Sequence, residues 1–304
     1  MLKRILITCA NAGLGKECAK QMAMQSGIEK IYLGCRNPQK AIAAQQELQQ
    51  ITGKDIFETL LIDVSDQGSV RAAVQSLQEP IDGLVMNAGG TGGTQFHEKT
   101  ADGVTQIFAV NLLGHSTLTY ELLAAKKLTQ VALYAGSEAA RGVEPMGMKR
   151  PALKTSSVDE FTSIANGVFF GKTKDATVPY GPIKYMAALW MSSLARQHPE
   201  IRFVTMSPGG TTGTEGFNTL SPIKQYFMKG MMQIMLLLGK VHKVEVGAKR
   251  FVDGLVNDSF KSGVFYASRS GLTGPVMEQS QLFADLSNET FQDNAREAIE
   301  GFIN

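Results

Sequence analysis

The chain has 304 residues, 43% of them apolar, and 30 Lys+Arg against 28 Asp+Glu leave a formal charge of +2. That length supports a core without disulfide or metal staples, and the near-balanced charge lacks the clustered cations that drive nucleic-acid binding. Cys9, Cys18 and Cys35 form no C-x-x-C pair and the histidines are scattered, so neither a disulfide framework nor a metal site is indicated, and a reducing, cytoplasmic setting is expected.

Short β-branched and leucine-rich runs alternate with longer segments of helical period, the pattern of βαβ units feeding a parallel sheet. Strands are expected over residues 3–8, 30–34, 59–63, 83–87, 130–134, 201–207 and 262–266, with helices between them. The first strand follows the initiator directly, with no long apolar run, so no signal peptide is expected. The second helix is expected from Pro38, where the missing N–H costs nothing, to Thr52, with Gly53 as its stop. Nothing in the composition divides the chain, and one doubly wound α/β domain over 1–304 is expected, of about seven parallel strands with helices on both faces. Two segments stand outside that core. Residues 141–179 are polar and broken by Gly142, Pro145, Gly147, Pro151, Gly167 and Gly171, and are expected as a long surface loop. Residues 213–240 end in a methionine-rich stretch of helical composition, far short of the ~18 apolar residues that span a bilayer, so no integral membrane segment is expected.

In a doubly wound sheet ligands bind at the carboxyl ends of the strands. After the first strand comes Thr8-Cys9-Ala10-Asn11-Ala12-Gly13-Leu14-Gly15, a turn whose glycines allow backbone N–H groups to approach a pyrophosphate at a helix N-terminus. Alone it is equally compatible with an ordinary strand–helix connection. The second strand ends at Gly34-Cys35-Arg36, without the acid that would hold a ribose 2′-hydroxyl; Arg36 suits a 2′-phosphate or is simply a solvated surface charge. Asp63-Val64 and Asn87-Ala88-Gly89 close the third and fourth strands. Tyr180 and Lys184 stand four apart, on one face of a helix, where the ammonium is expected to lower the phenol from its ordinary value of ~10 into a useful acid–base range. Pro182 implies that this helix begins close to Tyr180. Ser137, just past the fifth strand, is placed to donate to the same substrate oxygen. Chance alone also produces such a Tyr–Lys spacing.

Taken in order, these residues make the chain resemble the short-chain dehydrogenase/reductase family over nearly its whole length. The family's T-G-x-x-x-G-x-G turn is matched at Thr8, Gly13 and Gly15, its D-V pair at Asp63 and Val64, and its N-N-A-G at Asn87, Ala88 and Gly89, with Met86 in place of the first asparagine. Its helical asparagine falls on Asn111, its serine on Ser137, its Y-x-x-x-K on Tyr180 and Lys184, and its P-G on Pro208 and Gly209. The resemblance implies NADP(H) as cofactor, held by Thr8, Asn11, Gly13, Leu14, Gly15, Arg36, Asp63, Val64, Asn87, Ala88, Gly89, Tyr180, Lys184, Pro208, Gly209 and Thr212. It further implies that Tyr180 is the general acid or base, Ser137 polarises the substrate oxygen, Lys184 holds the nicotinamide ribose, and Asn111 supports a water relay to Lys184.

Cys9 departs from the family where a glycine is usual; it either tilts the loop or packs as a small hydrophobe, the favoured role, with a redox-sensitive thiol as the further alternative. The wide separation of Ser137 from Tyr180 is similar to that in carbonyl-reductase-like, retinol-dehydrogenase-like and protochlorophyllide-reductase-like members. An insertion there is expected to cover a common family interface, so a monomer or homodimer is expected rather than a tetramer. Residues 213–240 match the family's substrate lid, and their methionines suit a greasy pocket, core packing or, with few positive charges to support it, a membrane-surface helix. The implied activity is hydride transfer between NADPH and a carbonyl or alcohol of a hydrophobic small molecule. The alternatives are a C=C reductase of the protochlorophyllide type and a non-catalytic NADP-sensing protein.

Overall fold

The computed structural model describes residues 1–143, 149–212 and 235–304. Among them, strands β1 (Arg4–Thr8), β2 (Lys30–Cys35), β3 (Phe57–Leu61), β4 (Ile81–Met86), β5 (Leu128–Ala135), β6 (Arg202–Met206) and β7 (Val264–Ser268) run parallel in one sheet. A three-residue strand, β8 (Val276–Glu278), adds an antiparallel edge. The order is β3-β2-β1-β4-β5-β6-β7-β8, so the winding reverses between β1 and β4 and opens a crevice above their carboxyl ends. All seven expected strands form; β8 was not anticipated, because three residues carry no readable alternation.

Alternation along each strand supplies both faces. In β1, Ile5 and Ile7 enter a core with Cys18, Phe251 and Leu255, while Leu6 enters the opposite core with Phe108 and Trp190. Helices α1 (Gly13–Ala23), α2 (Pro38–Thr52) and α3 (Gln67–Ser76) follow the first three strands. Asn37 caps α2 by accepting from Lys40 N at 2.9 Å, and Gly53 ends it at φ 67°, as its flanking residues predict. A composite helix follows β4: α4 (Gln106–Phe108), a π-helical turn (Ala109–Leu113) and α5 (Gly114–Ala124).

Residues 149–179 are not wholly the irregular excursion expected over 141–179. Within this range α6 (Val158–Ala165) forms and buries Phe161, Ile164 and Ala165. Ser157 starts it by accepting from Glu160 N, while Glu160 reaches back to Ser156 N at 2.7 Å. This is the S-x-x-E signature of a helix start. Helix α7 (Thr177–Gln197) begins three residues before Tyr180, so Pro182 falls inside the helix, in its second turn, where it cannot supply the N–H that an i→i−4 bond would use. Helices α8 (Val244–Val256) and α9 (Glu289–Glu300) complete the layers, and α6 packs on both α7 and α9. No described helix is long and apolar enough to cross a membrane.

Candidate active site

The turn after β1 and the loop after β4 meet at the reversal point and are stitched together by Thr8. Its buried hydroxyl accepts from Asn87 N at 2.8 Å and Ala88 N at 2.9 Å, and Asn87 Nδ2 returns a bond to Thr8 O at 3.0 Å. Gly15 packs so tightly that a Cβ there would lie 2.6 Å from Asn87 Nδ2, which explains glycine at this position. Asn11 and Leu14 lie half-buried on the same turn. Cys9 is exposed, not packed as a small hydrophobe, and adopts φ 53°. It keeps the left-handed backbone for which glycine is the usual choice and turns its side chain outward.

Arg36 is 74% exposed at the end of β2, with Nε 3.8 Å from Asp63 Oδ2. Asp63 Oδ1 is occupied by Ser65, which donates through N at 2.9 Å and Oγ at 2.7 Å. A pair this exposed contributes little stability and leaves the guanidinium available. Val64 is buried, its carbonyl lying against Gly114 where no Cβ fits. Pro208 O lies 2.7 Å from His242 Nε2, Thr212 N donates to His242 O at 2.8 Å, and Gly209 turns at φ 77° between them. Residues 213–234 of the expected lid lie outside the described residues.

The other side of the crevice is buried. Asn111 sits in the π-helical turn, a helix irregularity often found at functional sites. Its side chain clamps Gly90, accepting from Gly90 N at 3.0 Å and donating to Gly90 O at 2.8 Å. Its main-chain carbonyl accepts from Tyr134 OH at 2.6 Å and faces His115 Nδ1 at 3.2 Å. A carbonyl can only accept, so His115 carries its hydrogen on Nδ1 and its Nε2 accepts from Thr8 Oγ1 at 3.1 Å. Burial, and then the nearby Lys184 charge, push His115 down to about 3 and keep it neutral.

Lys184 is 2% exposed and donates to Tyr134 OH at 3.2 Å and to Ala135 O at 2.9 Å. A polar chain therefore runs from Lys184 through Tyr134, Asn111 and His115 to Thr8. Burial draws the Lys184 ammonium down to about 7. Its Nζ lies 5.6 Å from the Tyr180 ring centroid. The expected lowering of the Tyr180 phenol is not what this arrangement produces. Burial raises it, a hydrogen bond with Ser137 pulls it down and Glu138 pushes it further up. The reason is that Lys184 is held by Tyr134 and Ala135 and is itself driven toward neutrality. Ser137 starts a short 3-10 turn (Glu138–Ala140), accepting from Ala139 N at 3.1 Å. Gly181 lets α7 close onto this turn, since a Cβ there would stand 2.8 Å from Ala139 O. Ser137 and Tyr180 are brought together in this way.

Tyr134, Glu138 and Arg250 join the site without having been singled out from sequence; only the position of Tyr134 and Glu138 beside Ser137 hinted at them. A cavity of about 1080 Å³ reaches Pro179, the residue before Tyr180; Phe96, Ile107, Val168 and Phe170 line it together with Lys99 and Lys172 among others.

The family profile described as short chain dehydrogenase matches residues 3–132. The chain belongs to the short-chain dehydrogenase/reductase family. It is thus related to oxidoreductases that use a nicotinamide cofactor on small molecules. Human "Retinol dehydrogenase 11" is 36% identical over 124 residues, which cover 40% of this chain and 38% of that protein, so the chain matches well under half of that relative's length. "Short chain dehydrogenase/reductase dpchH" of Colletotrichum higginsianum is 31% identical over 248 residues, 73% of this chain and 57% of its own. Among solved structures, L-sorbose reductase from Gluconobacter frateurii complexed with NADPH and L-sorbose aligns with a TM-score of 0.65 at 17% identity, covering 89% of this chain and 96% of its own. NADPH-bound carbonyl reductase from chicken fatty liver aligns with a TM-score of 0.58 at 18% identity, covering 90% and 99%. At such identities the likeness is one of fold.

Proposed function

We propose that this protein is an NADP(H)-dependent oxidoreductase that transfers a hydride between the nicotinamide and the carbonyl or alcohol carbon of an apolar small molecule. The observation that carries the reading is the convergence of Ser137 and Tyr180 at the strand ends, above buried Lys184 and Asn111. The residues present suit a dinucleotide. Gly15 leaves no room for a side chain beside Cys9 O and Asn87, α1 has no acid in its first turn to oppose a pyrophosphate, and Arg36 is largely exposed, open to a 2′-phosphate. Asp63, Val64, Ala88 and Gly89 would flank the adenosine side, and Pro208, Gly209 and Thr212 the nicotinamide side. When bound, the cofactor supplies the hydride.

The protein's own groups place and move the proton. Ser137 Oγ donates to the substrate oxygen and Tyr180 OH delivers its proton there as charge develops on that atom. Burial raises the Tyr180 phenol, so in the structure it stands as the protonated, donating form. Lys184 Nζ, pinned by Tyr134 and Ala135, would hold the nicotinamide ribose of a bound cofactor. The aromatic and aliphatic cavity walls favour an apolar substrate body. The chain is read as one domain in which residues 141–179 and 213–240 are additions, and α6 covering α7 favours a monomer or homodimer.

An NADPH-oxidation screen across aliphatic, aromatic and quinone carbonyls, with NADH alongside, tests this. Turnover of apolar carbonyls with a preference for NADPH is expected. Tight NADPH binding without oxidation across the panel would instead identify a sensor.

A further inference from the structure

The cavity that ends beside Tyr180 carries charge of one sign only. Its volume of about 1080 Å³ stands at the upper end of the ~300–1,000 Å³ usual for small-molecule pockets, so it has room for an extended ligand. One wall comes from the chain between Thr91 and Ile107, after β4, and the other from the chain between Asn166 and Pro179, which leads into Tyr180. Phe96, Ile107 and Pro179 are buried in these walls.

Lys99, Lys172 and Lys174 also line the cavity, and among the described residues no carboxylate does. Lys99 Nζ donates to Gly103 O at 3.2 Å and to Asn166 O, main-chain acceptors that hold the ammonium between the two walls without neutralising it. Lys172 and Lys174 are exposed and make no ion pair among the described residues. The nearest acids in sequence are engaged elsewhere. Asp175 Oδ1 accepts from Thr177 N at 2.9 Å and Thr177 Oγ1 at 2.7 Å just before α7, and Glu98 Oε2 accepts from Gln95 Nε2 at 3.4 Å. Glu138, beside Ser137, is buried and paired with Arg250, whose Nη1 lies 3.6 Å from its Oε1.

An apolar pocket whose lining holds three uncompensated ammonium groups fits a ligand that is greasy along its length and anionic at one end. We propose that the substrate is an amphipathic carbonyl compound, an aldehyde or ketone whose apolar body ends in an anionic group, a carboxylate in the simplest case, with the carbonyl at Tyr180 and the anion among Lys99, Lys172 and Lys174. This rests on the reading of Tyr180 as the proton donor to that carbonyl. An ammonium is a compact point charge, so the three select for negative charge more than for head-group shape.

The test separates binding from turnover. Calorimetric titration, with saturating NADP⁺ present to occupy the dinucleotide site, compares dodecanoate with dodecanol below their micelle concentrations. Dodecanoate should bind at least about fivefold more tightly at low salt, because each exposed charge adds a small factor. That advantage should shrink in ~0.5 M NaCl, where exposed charges are screened. It should also shrink at least about threefold in Lys172→Gln/Lys174→Gln, which removes exposed side chains only. Equal affinity for the two ligands, no binding of either, or a preference for dodecanoate that survives in the variant overturns the proposal. In turnover, an ω-oxo dodecanoate should show a higher kcat/KM than its methyl ester, with the gap closing in the variant through KM; equal values in the wild type would also overturn the proposal. If neither compound is reduced while the binding preference and its loss in the variant hold, the functional reading alone fails and the anion site stands.

Discussion

At the open end of the crevice Arg36 and Cys9 are exposed, and among the described residues Arg36 pairs with a carboxylate 3.8 Å away, that of Asp63. At the closed end Lys184, Tyr134, Asn111 and His115 are all buried and bonded to one another or to main-chain carbonyls. Water screens charges at the first end, so a side chain there adjusts affinity by small factors. Burial at the second end sets protonation states directly, so a change there acts on the chemistry and on the stability of the fold together.

The largest effect separating the ends is expected from Lys184→Met. Turnover should fall at least ~100-fold, as for loss of a group in an acid–base site. The folded protein should nevertheless become more stable at pH 7. Lys184 is pulled from its ordinary 10.5 to about 7, so the unfolded chain binds its proton more readily and stability is lost as pH falls from 10.5 through about 7. Calorimetry showing a lower Tm for the variant would break this account of the buried end.

His115 gives the next effect. Its folded value of about 3 lies below its ordinary 6.5, so its contribution to stability is complete above 6.5 and is lost as pH falls toward 3. Urea unfolding between pH 7 and 4 should show the wild type losing stability more steeply than His115→Asn; equal slopes would mean that His115 is not held neutral. At the open end, Arg36→Ala should raise the NADPH KM by about tenfold, the loss of one charge-assisted contact, and leave the NADH KM unchanged. An equal change for both cofactors would remove Arg36 from the 2′-phosphate. The smallest effect is Cys9→Gly. Relief of the left-handed backbone, set against glycine's extra entropy in the unfolded chain, should stabilise by under about 1 kcal/mol in denaturant melts. A destabilised variant would show that the Cys9 side chain contributes a contact worth more than its strain.

The same division governed what could be read from the sequence. The strand ends, the Thr8–Gly15 turn and the Tyr180–Lys184 spacing are local patterns with fixed periods, and the residues fall where those patterns put them. The partners of Lys184 are not local. Tyr134 reaches it across the junction of β5 and α7, and no spacing announces that contact. For that reason the expected direction of the Tyr180 shift was reversed. Glu138 and Arg250 are likewise distant in sequence and joined only by folding. Helix α6 differs, because Ser157 and Glu160 carried a legible start signal that the surrounding glycines and prolines obscured. Cys9 was misread for a simpler reason: side-chain chemistry suggested packing, while backbone geometry governs that position. The family profile ends at residue 132, ahead of Ser137, so the part of the chain bearing Ser137 and Tyr180 rests on this site geometry more than the part bearing the turn.

The central claim is that Tyr180 is the proton donor of a working reductase. It is tested most directly by comparing wild type with Tyr180→Phe for NADPH affinity, by fluorescence titration, and for turnover of an apolar carbonyl identified in the screen. The account predicts a loss of turnover of about 10²–10⁴-fold with NADPH affinity retained. Turnover within a small factor of wild type, at equal NADPH affinity, would contradict it.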